Sequence, residues 1–281
     1  MGFWKAILDF CEARMEEPTS FGWYHFMWVG IIAAFTVFMC IKFKNCSEKT
    51  LRRISLIVFI VLVVLDLYKQ ITYDWVDFDE TTGSFVWDYA WYSFPFQLCS
   101  TPHYVLPFII FLPDGKLRDA FLAFMMFFSF VGGLCVFVYP EDCFTPFIGV
   151  NIQTMTHHGM QIVLAVLYAV HERRKIVGEK YGRYFIRAIP VFVVFMLIAF
   201  GLNIGVNAIF ESLGMDDTFN MFYIGPVHPC SLPVLSAIYP LVPYPVFFCL
   251  YLFGFILAGF ILYNVFYWSL RPSVLKERLD K

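Results

Sequence analysis

Long apolar segments alternate with short polar connections along the whole chain. Seven of these segments are long enough to cross a bilayer, because a transmembrane helix needs about 20 residues, in a range of about 17–25. Backbone polar groups in lipid have no water to bond, so each segment is expected to be a helix. The predicted spans are residues 22–41, 54–71, 91–112, 120–139, 151–170, 188–210 and 244–268. The pattern therefore predicts an all-α polytopic membrane protein, a seven-transmembrane-helix bundle in a single domain over residues 1–281.

The composition agrees with this pattern. Of the 281 residues, 60% are apolar, 21% are aromatic and 15% are charged. A soluble domain has about 45–50% apolar and about 25% charged residues, so a water-soluble globule is excluded. The aromatic content excludes a disordered chain as well. The formal net charge of −2 gives no general attraction to nucleic acid, so no nucleic-acid partner is expected.

The charged residues of the connections predict the orientation of the bundle. Seventeen of the 20 Lys and Arg residues lie in alternate connections, 42–53, 113–119, 171–187 and the tail after residue 268, which we call the basic connections. The intervening acidic connections, 73–90, 140–150 and 211–243, contain no Lys or Arg. Short basic segments stay in the cytoplasm. Seven crossings then place the N-terminus outside and the C-terminus in the cytoplasm.

The N-terminal residues and the cysteines change this prediction of fold and orientation little. Residues 1–20 lack the features of a signal peptide, and their apolar side chains predict a short helix on the outer membrane surface. The eight Cys contain no Cys-x-x-Cys pair, which argues against a zinc ribbon. Cys143 and Cys230 both fall in acidic connections, where an oxidising compartment would allow a disulfide between them.

Polar residues inside the spans are costly and are functional candidates by default. The third span carries Gln97, Cys99 and His103. If this span is a continuous helix from residue 91, Cys99 lies about 12 Å below the outer surface. The other polar residues at a similar predicted depth are Asp66 and Lys69 on the second span, His157, His158 and Gln161 on the fifth, and Asn203 and Asn207 on the sixth. This outer polar layer predicts a cavity open toward the outer leaflet.

Some of these residues also have a structural interpretation. Asp66 is three residues before Lys69, so the two side chains can pair along one helix face. Asn203 and Asn207 can instead bond across helices and hold the bundle together. His157 and His158 point about 100° apart, so one of them at most is expected to face the centre of the layer.

The chemistry that this layer suits is nucleophilic acyl transfer. A thiolate is a strong nucleophile, and an adjacent His shuttles its proton. Cys99 with His158 or His157 supplies this pair, and His103 is a second possible base. Gln97 or Asn203 is positioned to donate to a developing oxyanion. Because the site would meet lipid directly, the expected substrate is an acyl chain on a phospholipid or lysolipid.

Other chemistry has less support. His103, His157, His158 and His228 lack the helical spacing of metal ligands and an accompanying carboxylate cluster, so no metal is expected. No cofactor is expected either. The alternative function is non-enzymatic: a receptor, or a small-molecule or lipid carrier, with an outward-facing polar pocket.

Four segments resemble a known family. They are Ser-Phe-Pro-Phe-Gln-Leu-Cys-Ser at 93–100, Thr-His-His-Gly at 156–159, Phe-Asn-Met-Phe-Tyr-Ile-Gly at 219–225 and Tyr-Pro-Leu-Val-Pro-Tyr-Pro at 239–245. In this order they resemble the YwaF-like integral membrane proteins, bacterial relatives of a eukaryotic acyltransferase that makes ether phospholipids. The resemblance implies Cys99 as acyl acceptor and His158 as base. It also implies a bacterial plasma membrane. The family has a His where this chain has Gln97, and its Asn-Tyr-Met-Phe segment is one residue longer than the match at Asn220.

These observations together predict a membrane-embedded lipid acyltransferase or acyl hydrolase. It would act through a thioester on Cys99 in the outer half of the bilayer.

Overall fold

The structure, a computed structural model, describes residues 2–140 and 143–280. Glu141 and Asp142 of the second acidic connection therefore lie outside the described residues, as do Met1 and Lys281. Helix accounts for 73% of these described residues, and five of the helices among them are long and apolar enough to cross a membrane. Their outer surfaces carry large exposed apolar side chains such as Phe253 and Ile261. The prediction of an all-α multi-pass membrane protein is thus confirmed.

The helices fall close to the predicted spans. Twelve are described: α1 Gly2–Cys11, α2 Trp23–Phe43, α3 Glu48–Thr72, α4 Pro102–Phe111, α5 Lys116–Phe124, α6 Phe130–Val138, α7 Ile148–His171, α8 Arg173–Gly178, α9 Arg183–Ile186, α10 Ala188–Leu213, α11 Leu235–Ile238 and α12 Tyr244–Leu279. A π-helical turn at Met125–Ser129 joins α5 to α6, so that residues 116–138 form one apolar rod. Helix α12 has 36 residues and runs well beyond the predicted end at residue 268.

The third predicted span is wrong as a continuous helix. The chain makes two 3₁₀ turns, Trp91–Ser93 and Leu98–Ser100, and α4 begins only at Pro102. Pro95 holds the preceding residue in an extended conformation, and Pro102 suits only the first turn of a helix. With 10 residues, α4 is about 15 Å long, too short to cross a bilayer. The helical depth calculated for Cys99 therefore does not apply.

Helix α7 lies in the interior of the bundle. It has 24 residues, about 36 Å, and it packs against α2, α3 and α6. It is buried along much of its length, and His157 is only 3% exposed. Gly159 allows α2 to approach, because a Cβ there would stand 2.2 Å from Ile32 Cδ1. The helix with the paired histidines is therefore surrounded by protein on several sides.

The acidic connections are more ordered than the sequence indicates. Residues 73–90 contain an antiparallel hairpin of β1 Val76–Asp79 and β2 Ser84–Trp87, with Phe78 opposite Phe85. Helix α1 confirms the short helix predicted within residues 1–20, although its place on the membrane stays a prediction. Lys5 joins it to the hairpin through Glu80 at 3.1 Å. No disulfide links Cys143 to Cys230 in the structure, contrary to the pairing considered above.

The basic connections meet at the opposite end of the bundle. Arg173 donates to Lys44 O, Asn45 Oδ1 and Glu277 Oε1, and so ties α8 to the α2–α3 connection and to α12. Arg52 donates to the carbonyls of Ile110 and Leu112 at 2.6 Å each, where α4 ends. These contacts hold the apolar helices together at the end that carries most of their cationic side chains.

Candidate active site

Cys99 lies in the 3₁₀ turn that leads into α4. Gln97 before this turn is extended, with φ −84° and ψ 167°, and Thr101 after it occupies the position just before the first helical residue. Cys99 is therefore three residues ahead of the first helical residue, Pro102. The first N–H groups of a helix lack intrahelical partners and carry partial positive charge. The turn thus places Cys99 just ahead of the helix end that favours an anion.

The peptide of Cys99 is held from α7. Its carbonyl oxygen accepts hydrogen bonds from His157 Nε2 at 2.8 Å and from Gln161 Nε2 at 2.6 Å. Because a carbonyl only accepts, His157 must carry its proton on Nε2. The fold therefore brings the predicted cysteine and histidine segments together. The contact between them, however, uses the backbone carbonyl of Cys99 rather than its thiol.

Two glycines of the fourth span permit this close packing. A Cβ on Gly132 would lie 3.3 Å from both Cα and N of Cys99, and a Cβ on Gly133 would lie 2.8 Å from His158 O. The π-helical turn just before them presents Ser129, whose hydroxyl donates to Gln161 Oε1 at 3.4 Å. These residues were not predicted from the sequence. Paired glycines in an apolar segment, which are typical of close helix contacts, were the available signal.

His158 is oriented by its own helix. Its Nδ1 donates to the carbonyl of Thr154 at 2.7 Å, so in the neutral ring Nε2 keeps its lone pair. Its ring centroid lies 5.3 Å from that of His157. A base that is oriented by a third group is the usual arrangement beside a catalytic nucleophile. The two histidines therefore differ: His157 binds the peptide of Cys99, and His158 has a ring nitrogen available for proton transfer.

Further ionisable groups surround the same region. The ring of His103 lies 5.1 Å from that of His157, and Asp66 interacts electrostatically with His103. Lys69 forms its ion pair with Asp74 at 3.4 Å, so the pairing with Asp66 predicted from their spacing is replaced by a partner beyond α3.

Lys69 has a wider influence than that ion pair. It lies within electrostatic range of Cys99, His157 and His158. The sequence placed Lys69 in the outer polar layer and offered Asp66 as its partner, but spacing along one helix shows nothing of its position relative to the neighbouring helices.

The predicted amide residues have a different role. Asn203 and Asn207 of α10 bind the backbone of the segment that follows it, and Gln97 binds the same segment from the third span. Asn203 donates to Met221 O at 2.9 Å and accepts from Met221 N at 2.6 Å. Asn207 donates to Phe219 O at 2.8 Å, and Gln97 donates to Asn220 O at 3.0 Å and accepts from Phe222 N at 2.7 Å. These three side chains therefore hold residues 219–222 inside the bundle.

The segment that they hold is buried and strained. Phe222 and Tyr223 have φ values of 56° and 54°, a region that non-glycine residues rarely occupy. Phe222 is 1% exposed, and its carbonyl accepts from Tyr251 Oη at 2.8 Å. Irregular backbone within a membrane protein is tolerated where protein groups satisfy it. Gln97 therefore couples this segment to the Cys99 turn two residues away.

A second group of ionisable residues lies among the basic connections. Glu48, His171 and Glu172 place one ligand atom each within 4.8 Å of one another. All three side chains already have bonding partners. His171 bonds Glu172 Oε1 at 3.1 Å and Cys46 O at 3.1 Å. Arg118 pairs with Glu48 at 2.9 Å, and Lys175 pairs with Glu172 at 2.8 Å. Both acceptors of His171 require a proton on the ring, which leaves no lone pair for a metal. This group is an ion-pair cluster.

The fold and the site together define a helical multi-pass membrane protein whose interior holds a cysteine turn against two histidines. The TMEM164 family matches residues 20–263, and the chain belongs to this family. No curated protein and no solved structure matches the chain. The family match includes the Cys99 and His158 segments, while the bacterial YwaF-like resemblance stays a prediction.

Proposed function

We propose that the protein is a membrane-embedded lipid acyltransferase or acyl hydrolase that forms a thioester on Cys99. The observation that carries the proposal is the Cys99 turn, which is fixed by two side chains of α7 at the start of α4. His158, on the same helix, has its ring oriented by Thr154. Membership of a family related to ether-lipid acyltransferases supports a lipid substrate.

The mechanism assigns separate roles to the two histidines. His158 Nε2 takes the proton of the Cys99 thiol as the sulfur attacks the ester carbonyl of a phospholipid. The ester C–O bond breaks, and the imidazolium returns the proton to the departing lysolipid hydroxyl. This transfer requires Nε2 within about 3 Å of the sulfur, or one bridging water. His157 and Gln161 are positioning residues that fix the peptide of Cys99.

Trapping the thioester tests the proposal. The purified protein is mixed with phospholipid that carries a labelled acyl chain, and the protein-bound label is measured before and after neutral hydroxylamine, which cleaves thioesters. We expect hydroxylamine-sensitive label on the native chain and on Cys135→Ala, whose thiol is exposed on α6, and none on Cys99→Ala. Label that persists on Cys99→Ala contradicts the mechanism. Saturable lipid binding without label on the native chain favours the carrier alternative.

We also propose the orientation predicted from charge, with seven crossings. The third crossing would combine the irregular segment 91–101 with α4, both packed inside the bundle. An epitope tag after Thr82, at the exposed hairpin turn, is then accessible to antibody on intact cells. A tag after Lys281 is accessible only after permeabilisation. The reverse pattern, or two tags on one side, contradicts the orientation.

A further inference from the structure

Two imidazole rings from different helices lie side by side near the Cys99 turn, and a carboxylate of a third helix lies within electrostatic range of one of them. The rings are those of His103 of α4 and His157 of α7, and the carboxylate is that of Asp66 of α3. Both ring nitrogens of His103 and Nδ1 of His157 are buried and have no hydrogen-bond partner among residues 2–140 and 143–280. The two rings are 5.1 Å apart at an angle of 53°, and Asp66 acts electrostatically on His103.

Unpartnered nitrogens of this kind indicate a place for a polar ligand. Burying an imidazole nitrogen without a partner costs free energy, and nearly all buried polar groups in proteins are satisfied. His25 offers a comparison, because both of its ring nitrogens are also buried and unpartnered. Its ring, however, lies among those of Phe26, Phe137 and Phe144. His103 instead has a second imidazole 5.1 Å away and the Asp66 carboxylate within electrostatic range, and these polar groups distinguish its position.

The location of His103 relates it to the nucleophile. It is four residues after Cys99, in the first turn of α4, whereas His158 approaches from α7. Acyl transfer through a thioester has two halves, and the second needs a base for the incoming hydroxyl. His158 is assigned to the first half, since one of its nitrogens is fixed by Thr154 and the other is left for the thiol. His103 has no such assignment.

We propose that His103 binds and deprotonates the hydroxyl of the acyl acceptor, with Asp66 as a positioning residue that stabilises the resulting imidazolium. This inference rests on the proposed function. A ring nitrogen of His103 takes the hydroxyl proton while the oxygen bonds to the thioester carbon. The C–S bond then breaks, and the sulfur of Cys99 leaves as a thiolate that recovers the proton from the imidazolium. The acceptor is an alcohol of a lysolipid or water, since the two share this chemistry.

The test separates loading of Cys99 from its discharge. The full chain in nanodiscs is loaded from phospholipid that carries a labelled acyl chain, freed of unbound lipid, and then given either lysophospholipid or buffer alone. Loss of label from the protein is followed with time, and the product is identified as diacyl lipid or free fatty acid. The four proteins are the native chain, His103→Gln, Asp66→Asn and the matched control His25→Gln.

We expect all four proteins to load, and His103→Gln to discharge about a hundredfold more slowly, because a general base contributes about 10²–10⁴-fold. Asp66→Asn should slow discharge several-fold, and His25→Gln should match the native chain. In a fifth protein, His103→Ala, added imidazole should restore discharge, which a purely structural role would not allow. The product formed in each arm identifies the acceptor as lysolipid or water.

Two results overturn the inference, and they are distinct from failure of the proposed function. In the first, His103→Gln loads and then discharges at the native rate. In the second, His103→Gln never loads and His103→Ala is not rescued by imidazole. Either result shows that His103 is not the base of the second step. If the native chain itself carries no label, the proposed function fails, and the inference fails with it.

Discussion

The carbonyl of Cys99 is the best-defined contact between the two chemically active segments. His157 and Gln161 each donate one hydrogen bond to it, and Ser129 in turn donates to Gln161. A hydrogen bond inside a low-dielectric interior holds geometry more firmly than one in water. We therefore regard this carbonyl as the feature that fixes the thiol relative to α7.

Replacing Gln161 tests this view. Gln161→Met keeps the side-chain length but removes the donor to Cys99 and leaves Ser129 without its acceptor. We expect a loss of about 1–3 kcal/mol of stability and slower loading of Cys99, measured by thermal unfolding and by the thioester assay. Gln153→Met is the control, because Gln153 is buried in the same helix and, within residues 2–140 and 143–280, its side chain bonds only to neighbouring Thr154. Equal behaviour of the two variants contradicts the assigned role.

At the scale of elements, the fourth span positions the site. Its π-helical turn at Met125–Ser129 is buried throughout, and π-turns within α-helices occur frequently at functional sites. Gly132 and Gly133 follow one turn later and meet the Cys99 turn and α7. A single rod of residues therefore sets the distance between the nucleophile and both histidines.

Adding one methyl group to this rod should move the site. A Cβ at Gly133 would stand 2.8 Å from His158 O and 2.9 Å from Gln161 Cβ, so Gly133→Ala must displace α7. We expect a loss of about 1–3 kcal/mol of stability together with strongly reduced thioester formation.

The matched control for this substitution is Gly205→Ala in α10. A Cβ there meets nothing within 4 Å, and alanine is favoured over glycine in helices by about 0.5–1 kcal/mol. We expect unchanged activity in this variant. Native activity in Gly133→Ala contradicts the role of the fourth span.

The sequence predicted the elements whose pattern is local and missed those set by distant contacts. Six of the seven predicted spans correspond to long helices: five of these are apolar enough to cross a membrane, and the sixth, α7, is long but carries several polar residues. The third is broken because prolines override hydrophobicity, and the same segment carries Cys99. The buried irregular segment 219–225 was not predicted, since its backbone is satisfied by Asn203, Asn207 and Gln97, which are far away in sequence.

The residues of the candidate site were likewise predicted only in part from the sequence. Cys99 and the two histidines stood out as polar groups in apolar spans, and the structure brings their segments together. Asn203 and Asn207 were equally unusual, but they bind backbone rather than line a cavity. A rare residue type indicates that a polar group is needed, and only the fold shows whether its partner is backbone or substrate.

At the scale of the whole molecule, charge is concentrated where the basic connections meet. Asp119 pairs with Lys175 at 2.9 Å and with Arg187 at 3.2 Å, and Arg187 also pairs with Glu179 at 2.7 Å. Arg118 is 1% exposed and pairs with Glu48 on α3. Since removal of one partner from a buried pair leaves an uncompensated charge, this cluster is expected to lock α3, α5, α7 and α8 together.

The cluster should make stability depend on pH through Glu172, which directly follows the last residue of α7. Burial alone would raise its pKa, but hydrogen bonds from His171 and Lys175 outweigh that effect and hold the pKa below its ordinary value of 4.5. A carboxyl group with a lowered folded-state pKa stabilises the fold above its unfolded pKa. That stabilisation is lost as the pH falls through the folded-state pKa. The native chain should therefore lose stability when acidified below about pH 4.5.

Glu172→Gln isolates this contribution, because the amide keeps the shape of the side chain and does not titrate. We expect the thermal unfolding midpoint of the native chain to fall more steeply than that of the variant between pH 5 and pH 3, as measured in the same detergent. Every other charged residue is the same in the two proteins, so the comparison reports on Glu172. Glu211→Gln serves as control, since Glu211 is exposed at the far end of α10. Parallel curves for the native chain and Glu172→Gln would show that the cluster adds no pH-dependent stability, and that the apolar helices hold this end of the bundle without it.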